Sequence, residues 1–228
     1  MLLESILRLL LREFIAEKRV ALKAFARKID VNPKSVLETA KLYGFNVKNG
    51  YIIMEDREKI IFNLLKLGFD LEDILRYFDW RDLESICGAF LTISGFYTIR
   101  NFRFKTCGKR YEIDVIGIKN EKVLLIDCKK WRKMSGSMLK TAVEKQLERA
   151  LALSKIFDTL KLRIDSDRVV LIPAIVTMLP GSIFFHNSVP VIPISKFNSF
   201  LSNIENMLDN LTLIEVKLGG LFRGGHQS

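Results

Sequence analysis

Apolar residues recur at helical spacing from the start of the chain. Leu2, Ile6, Leu9, Leu10 and Phe14 share one side of a helix over 2–17. A second short helix fits 21–29. A third fits 34–43, with Asn32 as its N-cap, Pro33 at its first turn and Gly44 closing it. Asn49-Gly50, set between short runs in 45–54, is a two-residue hairpin signal. Two helical stripes follow over 57–79, one through Ile60, Ile61, Leu64 and Leu65, the other through Leu71, Ile74, Leu75 and Phe78. A helix over 82–94 turns Leu83, Ile86, Cys87, Phe90 and Leu91 to a core. The period then changes. Runs at 97–105, 111–118, 122–128 and 169–178 read as strands, and a long helix over 139–159 joins the last two. Short extended pieces at 183–185 and 189–194 precede a last helix over 196–210.

This order divides the chain. Helix, helix, turn, helix, hairpin predicts a mostly α winged helix-turn-helix domain at 1–56. Residues 57–79 read as a helical connector, 80–218 as an α/β domain with a mixed sheet flanked by helices, and the Gly-rich 219–228 as a loose tail. In a winged helix the third helix and the hairpin tip meet DNA. That points to Lys34, Ser35 and Thr39 on the helix and Lys48 at the tip.

Charge sharpens the picture. The 228 residues carry a net charge of +10, which favours an anionic partner, most simply nucleic acid. Between Arg100 and Lys140 there are twelve Lys or Arg against four Asp or Glu, whereas residues 1–56 hold ten against seven. The α/β part is therefore the more basic one, with Arg103, Lys105, Lys130, Arg132 and Lys133 as candidate phosphate contacts. No run of about 18 apolar residues predicts a membrane span, and the charged first helix does not read as a signal peptide, so a cytoplasmic protein is expected. Cys87, Cys107 and Cys128 are scattered, which fits a reducing compartment and gives no zinc spacing.

The candidate chemistry lies in RYEIDVIGIKNEKVLLIDCKK. Asp114 sits in one apolar strand, and Asp127, thirteen positions later, ends the next, followed by Cys128 and Lys129. Side chains alternate along a strand, so Asp127 and Lys129 share a face. Carboxylates at the ends of buried strands are costly unless they pair or bind a cation. His186 and His226 are far from this stretch in sequence. The pattern D…D-x-K resembles the PD-(D/E)XK nuclease superfamily, closest to the archaeal Mrr-like restriction-endonuclease domains and related to the archaeal Holliday-junction resolvases.

The resemblance covers roughly 80–203. It implies a restriction-endonuclease-like fold and Mg²⁺-dependent hydrolysis of DNA, with Mn²⁺ as a substitute. Asp114, Asp127 and the Cys128 carbonyl would hold the metal, joined by Glu84 from the preceding helix. Lys129 would position the attacking water. Of the Gln-x-x-x-Tyr element that related nucleases carry on the crossover helix, only Gln146 is present, since Ala150 stands at the Tyr position. A homodimer acting on double-stranded or branched DNA is the expected assembly. One rival is a non-catalytic DNA-binding regulator or architectural protein that keeps the nuclease fold. Another is a protein-interaction module built on the winged helix.

Overall fold

Ile6, Leu7, Leu10 and Leu11 are all buried, and they form the inward stripe of helix α1 (Leu2–Ala16). The computed structural model describes residues 2–66, 68–78, 80–131, 133–160, 162, 164 and 166–219. It falls into two compact units, Met1–Asp82 and Leu83–Ser228. The stretch 57–79, expected as a connector, lies within the first.

In the first unit β1 (Arg19–Ala21) leads into α2 (Leu22–Lys28) and α3 (Pro33–Leu42). Asn32 caps α3 as expected, its Oδ1 accepting from Lys34 N at 2.8 Å. The hairpin β2 (Asn46–Lys48) and β3 (Tyr51–Ile53) turns at Asn49 and Gly50, both at positive φ. The short helices α4 (Arg57–Lys66) and α5 (Leu71–Leu75) complete the unit. The sequence pattern gave no sign of β1, three residues long, which pairs antiparallel with β3 and makes a three-stranded sheet of order β1-β3-β2.

The second unit is a mixed α/β fold. Helix α6 (Trp80–Ile93) precedes β4 (Tyr97–Thr106), β5 (Lys109–Lys119) and β6 (Lys122–Lys129), joined as an antiparallel meander. Helix α7 (Gly136–Ser154) then crosses to β7 (Arg168–Thr177), parallel to β6. The antiparallel pair β8 (Phe184–His186) and β9 (Val189–Pro193) extends the sheet from β7, and α8 (Ile194–Asn203) follows. A final strand, β10 (Ile214–Lys217), pairs with the first half of β7, leaving the second half to β9.

Each sheet face has its own cover. Val123, Leu125 and Leu171 pack with Ala150 and Leu153 of α7. On the reverse face Cys87 of α6 meets Cys128, and Phe90 of α6 meets Phe197 of α8. Gly117 belongs to that face. A Cβ there would stand 2.7 Å from Leu91 Cδ2 and 3.0 Å from Cδ1, closer than buried atoms tolerate. Gly117→Ala is therefore expected to lower stability by about 1–3 kcal/mol, as overpacking does. In urea denaturation its cost combined with Leu91→Ala should be less than the sum of the two single changes. Simple additivity would mean that the contact does not restrict the site.

The sheet has one irregularity. Ile99, Phe102 and Phe104 of β4 all pack in the α7-side core, as do Ile113, Ile116 and Ile118 of β5. Strict alternation cannot put 99 and 102, or 113 and 116, on one face. Both strands therefore change phase at the same level, at Asn101 and Asp114, which face each other but are skipped in the ladder. Asn101 is at φ 52°, a left-handed conformation that Asn adopts more readily than most residues.

Candidate functional site

Asp114 lies where β5 parts from β6 while staying paired with β4. The β5–β6 ladder stops at Val115↔Ile126, so Asp114 and Asp127 are the first residues of the two strands beyond it. Cys128 N, turned towards the departing strand, donates instead to Asp114 Oδ2 at 2.7 Å. The side chain takes the place of the missing ladder partner, and this fixes the carboxylate across the end of β6.

Asp127 is 2% exposed. Its Oδ1 accepts from Lys129 Nζ and from Arg149 Nη1, both at 2.9 Å. Oδ2 also lies 2.7 Å from Lys129 Nζ, but without hydrogen-bond geometry, so this buried oxygen accepts no hydrogen bond. Gln146 is fully buried. Its Nε2 donates to the Leu125 carbonyl at 2.7 Å, and its Oε1 accepts from Arg149 Nη1 at 3.2 Å. Gln146 thus ties α7 to β6 and steers Arg149 onto Asp127.

The two carboxylates differ electrostatically. Burial pushes the Asp114 carboxyl above the ordinary aspartate value. The Cys128 N–H opposes this, the neighbouring charge of Asp127 adds to it, and Lys129 and Arg149 oppose it more weakly. The Cys128 thiol is pushed well up, first by burial and then by Cys87, whose Sγ is 3.7 Å away. It stays protonated at neutral pH, so the thiol is no nucleophile.

The structure thus brings Asp114, Asp127, Lys129 and Gln146 to one place. Glu84 is buried on α6 one turn before Cys87, which packs on Cys128. Cys128 points away from Asp127 and Lys129, so α6 covers the other face of the sheet at Cys87. Among the described residues no three His, Cys, Asp or Glu side chains are grouped as a metal site. The carboxylates of Asp114 and Asp127 are hard oxygen donors of the kind Mg²⁺ takes, since it binds through one or two carboxylates and keeps waters. The buried Asp127 Oδ2 accepts no hydrogen bond and has the Lys129 ammonium 2.7 Å away as its counter-charge.

Of the expected DNA contacts, Lys34, Lys48, Arg103, Lys105, Lys130 and Lys133 are exposed, and Ser35 is half-buried. Lys48 is held by Glu55 at 2.6 Å, and Arg103 by Glu112 at 3.0 Å. Thr39 was expected on the open side of α3 but is fully buried, its hydroxyl donating to Ser35 O at 2.8 Å. With Val36 and Ala40 it makes the inward face, so it cannot reach DNA. Arg132 and the tail 220–228 lie outside the described residues. Sequence reasoning missed Arg149. Its one signal was its place three residues after Gln146, on the same side of the helix.

No protein-family model matches this sequence, and no curated protein does. Two solved crystal structures show partial likeness. A protein of unknown function, AF1548, is 21% identical with a TM-score of 0.33, over 43% of this chain and 47% of that one. The Vibrio cholerae protein VC1899 is 15% identical with a TM-score of 0.37, over 91% and 51%. The chain spans about half the length of each, and likeness at this level carries no argument about fold or chemistry. Among the described residues no helix is long and apolar enough to cross a membrane.

Proposed function

We propose that the protein is a Mg²⁺-dependent DNA endonuclease, with a restriction-endonuclease-like fold in its second unit and a winged helix in its first. The observation that carries this reading is the Asp114 carboxylate on the Cys128 N–H, next in sequence to Asp127, with Lys129 on the Asp127 carboxylate. When bound, the metal would supply an activated water and charge stabilisation for the phosphate. Asp114, Asp127 and the Cys128 carbonyl would hold it. Lys129, released from Asp127, would orient the attacking water, and Gln146 would keep β6 and α7 in register. Lys130 and Lys133 would take flanking phosphates. A homodimer would supply one such site for each strand.

One observation favours the rival, a DNA-binding protein that does not cleave. Asp127 is already neutralised by Lys129 and Arg149 within the chain. The two readings separate in a single assay, with labelled duplex, single-stranded, flap and four-way-junction DNAs incubated with Mg²⁺ or Mn²⁺, or with EDTA. The nuclease reading expects products from at least one substrate with metal and none with EDTA. Salt-sensitive binding with every DNA left intact would replace it by the rival.

A further inference from the structure

Beside Asp127 runs an open groove of about 390 Å³ between the end of β6 and the start of α7. Lys129, Trp131, Ser137, Thr141, Lys145 and Arg149 line it. Three of the six are cations and two carry hydroxyls. Lys145 is exposed, with no ion pair among the described residues. Arg149 spends Nη1 on Asp127 and Gln146, and among the described contacts its Nε and Nη2 remain available as donors. Trp131 is half-buried. One part is anchored on the cluster of Ala142, Val143, Ile175 and Val191, and the rest faces the groove.

We propose that this groove is a subsite for one unpaired nucleotide next to the phosphate at Asp127. Arg149 and Lys145 take its phosphate, Ser137 and Thr141 take sugar or phosphate oxygens, and Trp131 stacks on its base. Cations that follow the backbone, joined to an aromatic platform for a base, are the combination that binds single strands. Inside a duplex both faces of a base are covered by its neighbours, so the ring would have nothing to stack on. The substrate class is therefore DNA with an unpaired or splayed nucleotide beside the cut, rather than continuous duplex. The volume suits one small ligand and not a helix. Arg149 joins this subsite to Asp127, with one nitrogen on the carboxylate and its side chain lining the groove.

The proposal rests on the nuclease reading for what stands at Asp127, but its test needs no cleavage. The chain has two tryptophans, Trp80 and Trp131. With Trp80→Phe the fluorescence reports Trp131 alone. In EDTA, an oligothymidylate of about eight nucleotides, within the usual site size of ~4–16, should quench it saturably. A blunt duplex of equal length should bind more weakly. Lys145→Glu, on an exposed residue, should weaken single-strand binding about tenfold or more. Trp131→Leu, with Trp80 kept, should do the same in filter binding. No quenching by the single strand, equal affinity after Lys145→Glu, or a preference for the duplex would overturn the proposal. Quenching without metal-dependent cleavage would keep the subsite and remove the nuclease reading. Cleavage without quenching would do the reverse.

Discussion

Replacing Asp127 with asparagine is expected to abolish metal-dependent cleavage and to lower the stability of the fold at the same time. The two losses have different sources. A metal held at a carboxylate supplies several kcal/mol of transition-state stabilisation, and each 1.36 kcal/mol is a factor of ten in rate. A fall of about a thousandfold or more in cleavage rate is the expected size. The stability loss follows from the charges. Asp127 is 2% exposed and serves two cations, Lys129 and Arg149, whose side chains are 30% and 24% exposed. Asparagine is nearly the same shape but cannot balance them. Breaking a fully buried pair costs about 3–5 kcal/mol. Because both cations still reach water, the expected loss is lower, about 1–3 kcal/mol. Urea denaturation of the wild type and Asp127→Asn measures it. The stability loss should appear whether or not the protein is an enzyme, because it depends only on the ion pairs. The loss of cleavage separates the nuclease from its rival. A variant that unfolds earlier but cuts at the wild-type rate would remove Asp127 from the chemistry.

What could be read in the sequence follows the length of each signal. The long apolar runs gave β5, β6 and β7 with ends within about two residues, because a buried strand is a continuous hydrophobic stretch. Asn32-Pro33 and Asn49-Gly50 placed α3 and the hairpin, because cap and turn chemistry is local. The strands β1 and β10 were invisible. At three and four residues they are defined by the partners they pair with, Tyr51–Ile53 and the first half of β7, and not by their own composition. The last helix was read as one piece over 196–210. The chain instead runs as α8 to Asn203 and continues as a 3₁₀ turn over Ile204–Asn210.

The candidate site was legible where strand alternation decides it and not where the sheet departs from alternation. Asp127 and Lys129, two apart, had to share a face, and they meet. Glu84 was placed by the order of elements alone, and it is buried on α6. Arg149 escaped because the charge on a helix surface reads as a solvated residue unless its neighbour Gln146 is known to be buried. Thr39 went wrong for the converse reason. A small polar residue can close on its own helix backbone and pass into the core. The phase change at Asn101 and Asp114 has no sequence rule behind it beyond the tolerance of Asn for positive φ. Yet it is what takes Asp114 out of the ladder and sets it on the Cys128 N–H.

The second carboxylate should behave in the opposite way. Asp114→Asn is expected to cost cleavage about as heavily as Asp127→Asn while making the folded chain more stable at neutral pH. Burial raises the Asp114 pKa in the folded state, and the charge of Asp127 raises it further, against the pull of the Cys128 N–H, Lys129 and Arg149. The folded state therefore binds a proton more tightly than the unfolded one. Its contribution to stability is complete below the unfolded pKa and is lost as pH rises through the folded one, so above that the ionised carboxylate is a net burden. Asparagine carries no charge at any pH, and its amide oxygen can still accept from Cys128 N. The gain over wild type should be largest at neutral pH and should shrink on acidification towards the ordinary aspartate range. Urea titrations of both proteins across that range measure the trend. A gain that does not change with pH would trace it to packing and not to charge. A variant that is less stable at neutral pH would mean that the Cys128 N–H and the two cations outweigh burial at this carboxylate. A residue whose removal strengthens the fold and removes the reaction is placed for its chemistry, as strained functional groups are. Asp114 and Asp127 then divide one task. One carboxylate is held by cations that stabilise the chain. The other stays poorly neutralised in the middle of β5, where that strand parts from β6 and a divalent cation would have most to gain.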